Sequence, residues 1–80
     1  MNNVAERLAT CFKLVFPNLD ANQIPTATSE NVSDWDSVAQ VNLLSLIGEE
    51  FDMDIDFEEF EGATSFAALA DRLREISARA

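Results

Sequence analysis

Three stretches of the chain repeat apolar residues at helical spacing, which commits these 80 residues to a small bundle of helices. Val4, Leu8, Cys11, Phe12 and Val15 recur at intervals of four, three, one and three residues, the pattern of one helix face. Asn2 or Asn3 can cap its start, and Pro17 stops it. A second pattern begins near Asp36 and runs to about Phe51, with Leu43, Leu44, Leu46, Ile47 and Phe51 inward. Gln40, Asn42, Ser45 and Glu49 fall mostly on its other side. Gly48 interrupts this helix at a cost of roughly 1 kcal/mol relative to Ala, and leaves room for a close approach by the chain or a partner. The third pattern is Phe66, Leu69, Ala70, Leu73 and Ile76, with Thr64 or Ser65 as its cap. Arg72, Arg74 and Arg79 lie toward its C-terminal end, where positive charge suits the helix dipole.

The connections are unequal. Residues 17–36 read as a long loop, rich in Asn, Asp, Ser and Thr, with Leu19 and Ile24 as anchors to the core. A connection of this length is unusual in a compact domain and hints at function. Asp52 to Asp56 forms a short link with Ile55 inward, and Phe57 to Phe60 can make a single short turn of helix capped by Asp56. The expected fold is therefore all-α, a single domain over residues 1–80. It has three main helices, one short one, and a long loop between the first and second helices.

Several functions are excluded by what the chain lacks. It contains no histidine and no tyrosine, which removes the commonest acid/base side chain, and so small a core leaves little space for a dry catalytic cavity. One cysteine permits no internal disulfide. No apolar run is long enough to span a bilayer, and the first residues lack the basic start and apolar block of a signal peptide. A cytoplasmic setting and a monomer are expected. The formal net charge of −10 is uneven: residues 37–61 carry eight acidic residues and no basic one. Such a surface repels nucleic acid and anionic membranes, and speeds encounters with proteins that display Lys and Arg.

Asp34-Trp35-Asp36-Ser37-Val38 is the most informative segment. A serine at the head of a helix, after a long surface loop, is exposed and backed by free N–H groups that favour a phosphate. The local pattern has a plainer reading as well. Ser37 and Gln40 fit the capping box Ser-x-x-Gln, and Asp36 is itself a good cap. Elsewhere, Asp52-x-Asp54-x-Asp56 opens like a calcium loop. Phe57 then stands where the sharp-turn glycine belongs and Ala63 where the bidentate glutamate belongs, so a solvated acidic face is the better reading. Cys11 falls on a buried face with no histidine to activate it, as expected of a core cysteine.

The wider pattern resembles the acyl and peptidyl carrier proteins. Asp36-Ser37-Val38 is similar to their Asp-Ser-Leu motif. Val41-Asn42-Leu43-Leu44-Ser45-Leu46-Ile47-Gly48-Glu49-Glu50-Phe51-Asp52 resembles their second helix with its acidic-acidic-Phe close. Ile55 and Thr64-Ser65-Phe66 match the features that follow, so the resemblance spans essentially the whole chain.

This resemblance implies a non-enzymatic acyl carrier. It would hold an acyl group as a thioester on a 4'-phosphopantetheine arm attached to Ser37, with Asp36 completing the motif. A phosphopantetheinyl transferase would install the arm. Acyl-loading and acyl-using enzymes of lipid, fatty acid or polyketide-type biosynthesis would then dock through basic patches. Val38, Val41, Asn42 and Glu49 are the expected partner-facing residues. For Val38 and Val41 the plainer reading is ordinary surface apolars. Trp35 either meets partners or packs its ring on the bundle. The chain departs from fatty-acid-synthesis carriers at Ala39, Asn42 and Gly48, where that group often has carboxylates, and at Trp35, where a small residue is frequent. These departures point to a specialised carrier with dedicated partners. The alternatives are an aminoacyl or peptidyl carrier, and an unmodified acidic adaptor that binds a basic protein.

Overall fold

The computed structural model of the protein describes residues 3–79, with side chains through residue 78. Helix α1 spans Val4–Val15, α2 spans Ser37–Glu50 and α3 spans Phe66–Arg79. A single 3-10 turn, Ile24–Thr26, lies in the first loop, and no strand occurs among the described residues. Helix α1 packs closely on both α2 and α3, and the 3-10 turn packs on α1 and α3. Helices α2 and α3 make no comparably close approach to each other.

The apolar stripes go where their spacing sends them. Val4, Leu8, Cys11 and Phe12 of α1 are buried, as are Leu43, Leu44 and Ile47 of α2 and Phe66, Leu69, Ala70 and Leu73 of α3. Phe12 is the hub, in edge-on contact with Trp35 (5.4 Å between ring centroids) and Phe66 (5.3 Å), with Phe16 tilted at 5.8 Å. Phe16 ends α1 at φ −124°, ψ 72°, because a residue preceding proline is pushed out of the helical region.

The long loop is less loose than its composition implies. Ile24 is fully buried and Leu19 half-buried, both packed on the core. The polar residues fasten the loop to itself: Thr28 N–H donates to Asn31 Oδ1 (2.9 Å), and Asn31 Nδ2 donates to the Thr26 carbonyl (3.0 Å). The loop is also stitched to the start of α3. Ser29 N–H donates to Thr64 O and Phe66 N–H to Ala27 O, each at 2.9 Å, around a lone antiparallel bridge between Thr28 and Ser65.

Several expected details change. Asn3 occupies the cap position of α1 in the left-handed region (φ 69°), but its side chain makes no capping bond; Asn2 lies outside the described residues. Residues 57–61 form successive hydrogen-bonded turns rather than a helix, although Asp56 Oδ1 does accept the Glu58 N–H at 3.0 Å. The one short helix is instead the turn in the first loop. Ser65, not Thr64, caps α3, accepting from Ala68 N–H at 3.1 Å.

Helix α2 closes in a Schellman arrangement. Met53 N–H donates to Gly48 O (3.0 Å) and Asp52 N–H to Glu49 O (3.4 Å), with Asp52 left-handed at φ 51°. Gly48 accommodates this return of the chain. A Cβ there would stand 3.1 Å from the Ile55 side chain and 3.2 Å from the Met53 carbonyl.

Candidate functional site

The start of α2 resolves the ambiguity between two caps. Asp36 is the N-cap, in extended backbone (φ −116°, ψ −170°), and its Oδ1 accepts the Ala39 N–H at 2.9 Å. Its carbonyl accepts the Gln40 N–H at 2.9 Å, the first turn of the helix. Ser37 is the first helical residue and is exposed, and its hydroxyl has no hydrogen-bond partner among the described residues. The Ser-x-x-Gln capping box does not form, because Gln40 is used elsewhere. Its Oε1 accepts the Trp35 indole N–H at 2.7 Å, and its Nε2 donates to the Ala63 carbonyl at 3.2 Å. Gln40 is therefore half-buried and faces the loop before α3 rather than pointing away.

Trp35, immediately before the cap, is only 6% exposed and packs on Phe12 and Phe16. Its ring is part of the core and is not available to a partner, so the packing alternative holds. Trp35 and Gln40 together anchor the turn that presents Ser37.

The remaining expected site residues share one side of α2. Val38 is 69% exposed and Val41 46%, and Asn42 and Glu49 are exposed. At 100° per residue, Ser37, Val38, Val41, Asn42 and Glu49 fall within a sector of about 140°. Two of the positions singled out as missing carboxylates do not belong to this face. Ala39 is buried, and Gly48 is covered by Met53 and Ile55. Of the three, Asn42 alone is an exposed position where a carboxylate could meet a partner.

One residue escaped the sequence reading. Phe57 is 48% exposed and faces a groove of about 340 Å³ that Gln40, Val41, Leu44 and Phe60 also line. Its signal was the pair Phe57 and Phe60 in one short acidic turn. Phe60 takes the core position at 1% exposure, which leaves Phe57 outside. Glu58 and Glu61 edge the same groove.

The residues at the head of α2 fit a phosphodiester on Ser37. The acceptor oxygen is free, and the helix start supplies N–H groups and the positive end of the dipole. Asp36 occupies one of those N–H groups, that of Ala39. No group of His, Cys, Asp or Glu suited to hold a metal ion occurs among the described residues. Cys11 is 2% exposed, and burial, reinforced by the Glu50 carboxylate, pushes its thiol up to about 11. It is inert as a nucleophile at neutral pH. Among the described residues no helix is long and apolar enough to cross a membrane.

Comparison of the chain with protein-family models, with curated proteins and with solved structures finds no match.

Proposed function

We propose that the protein is an acyl carrier whose Ser37 hydroxyl accepts a phosphopantetheine arm from coenzyme A through a phosphopantetheinyl transferase. The observation that carries this reading is the division of roles at the head of α2. Asp36 does the capping, so Ser37 stands exposed with its hydroxyl uncommitted. A serine kept only as a helix cap would have its oxygen on a backbone N–H.

When bound, the arm supplies a thiol that carries the acyl group as a thioester. The chain's own residues do the rest. Ser37 provides the attachment oxygen, and the N-terminus of α2 favours the phosphodiester charge. Asp36 fixes the turn. Val38, Val41, Asn42 and Glu49 form the face that a partner enzyme meets, with acidic groups that draw Lys and Arg. The position of Ser37 at the edge of that face brings any tethered group to the partner at high effective concentration. The exposed Asn42, where fatty-acid-synthesis carriers often have a carboxylate, favours a specialised carrier with dedicated partners.

The test is intact-protein mass after incubation with coenzyme A and a broad-specificity transferase. Wild type is expected to gain one arm, and Ser37→Ala none. Wild type that stays unmodified across several competent transferases would leave the acidic adaptor as the better reading.

A further inference from the structure

We infer that Gln40 is a positioning residue for the modification of Ser37, coupling the turn that presents the serine to the loop that leads into α3. This role rests on the carrier reading. Three observations support it. First, the Gln40 amide uses both of its ends: Oε1 takes the Trp35 indole N–H at 2.7 Å and Nε2 gives to the Ala63 carbonyl at 3.2 Å. Second, these bonds reach the residue directly before the Asp36 cap on one side and residue 63 of the loop on the other. Third, the backbones of α2 and α3 do not approach closely, and this side chain gives a direct polar tie between the head of α2 and the chain entering α3.

The consequence is mechanical. Residues 63–66 are already sewn to the first loop through Ser29 N–H to Thr64 O and Phe66 N–H to Ala27 O. Gln40 joins the Ser37 turn to that assembly. The turn that presents the serine, the first loop and the chain entering α3 are thereby joined through one set of hydrogen bonds. A transferase that meets a turn already ordered does not have to order it, and that saving appears in binding. A loosened turn raises KM and leaves kcat unchanged, the signature of lost uniform binding.

The chain has one tryptophan and no tyrosine, so its intrinsic emission reports Trp35 alone. Gln40→Met keeps the length of the side chain and removes both bonds. It is expected to raise the KM for transfer about fivefold or more, to leave kcat unchanged, and to shift Trp35 emission to longer wavelength. Gln40→Glu can still accept from the indole but cannot donate to Ala63. It should keep the wild-type emission and give an intermediate KM. Leu73→Val in α3 serves as a control for general destabilisation, and all variants are assayed where circular dichroism shows them folded. In wild type itself, the Trp35 indole proton should exchange slowly with deuterium.

An unmoved KM in Gln40→Met, or an equal rise in Leu73→Val, would overturn the role. So would a rapidly exchanging indole proton in wild type. Wild type that accepts no arm would overturn the carrier reading and this role with it. Modified wild type beside an indifferent Gln40→Met would overturn this role alone.

Discussion

The two ends of α2 are secured by different physics. At its head, Trp35 is buried among Phe12 and Phe16, neutral hydrogen bonds of the Gln40 amide tie it to Ala63, and the Asp36 carboxylate caps the helix. At its tail, the tie is ionic. Arg7 of α1 donates to the Glu50 carboxylate (3.0 Å) and carbonyl, and lies 4.6 Å above the Phe51 ring. That cation sits at the negative end of the α2 dipole, against the acidic third of the chain. Arg7 and Glu50 are each about one-third exposed, at 34% and 37%. Packing and buried neutral hydrogen bonds are little affected by salt, while partly exposed ion pairs are screened by it. Ser37 thus lies at the end held mainly by packing and neutral hydrogen bonds, which is the less sensitive of the two to ionic conditions.

The largest test of this contrast is Trp35→Ala. Removing a buried aromatic costs about 3–5 kcal/mol, against a total on the order of 4–12 kcal/mol for a chain of this size. Urea unfolding should show a protein close to failure. Arg7→Ala should cost about 1 kcal/mol, and the ionic part of that cost should fall at high salt. Equal costs for the two changes would erase the distinction between the ends.

Alkaline pH probes the tail next. Cys11 lies on the buried face of α1, within the field of Glu50 and Arg7, with its thiol raised from 9.0 to about 11. Burial penalises the thiolate, so the folded state holds its proton to higher pH than the unfolded chain does. Stability from this group is full below pH 9 and is lost as pH rises toward 11, a fall on the order of 2–3 kcal/mol. Cys11→Ala removes the thiol. Its unfolding midpoint should decline less over that window than wild type, and parallel profiles would refute the assignment.

The cap at the head gives a smaller and more specific effect. Asp36→Ala should cost about 0.5–2 kcal/mol through loss of the bond to Ala39 N–H. Ser37→Ala should change stability by no more than about 0.5 kcal/mol, because the hydroxyl is uncommitted. The reverse order in thermal unfolding would return Ser37 to a structural role and weaken the carrier reading at its root.

The same two ends separate what the sequence could tell from what it could not. Apolar periodicity located all three helices and most of their buried faces, because burial of a stripe is decided by spacing. It placed Ser37 at the head of α2 and the Val38, Val41, Asn42 and Glu49 face outside. It could not choose between Asp36 and Ser37 as cap, since both are good capping residues and a shift of one position decides. Spacing puts Gln40 on the outer side, because its partners Trp35 and Ala63, one of them 23 residues away, leave no mark on apolar periodicity. Gly48 leaves room for either the chain or a partner on sequence grounds, and the chain takes it. Which of the two covers Gly48 depends on the path of the loop 52–56, which carries no periodicity, whereas Ala39 is buried on the same stripe as Leu43 and Ile47.

The smallest expected effect concerns which charges a partner feels. Glu49 and Glu75 are both exposed, and reversing either to Lys changes the net charge by the same amount. They differ in place. Glu49 shares the face of α2 that carries Ser37, about 18 Å along the helix axis from it. Glu75 is on α3, in a loose pair with Arg72 at 3.8 Å whose loss should cost little. At about 0.15 M salt the screening length is roughly 8 Å, so a charge acts on a partner only where the two surfaces meet. Under those conditions Glu49→Lys should weaken transfer to Ser37 about two- to fivefold in kcat/KM, the equivalent of one exposed ion pair. Glu75→Lys should leave it unchanged. At about 0.01 M salt the screening length reaches roughly 30 Å, and both reversals should slow association through the overall field. Equal losses at the higher salt would mean that partners sense only net charge, and the assignment of the α2 face as the docking surface would fail. A loss confined to Glu49→Lys at 0.15 M, merging into a shared loss at 0.01 M, separates contact from long-range attraction on the same molecule.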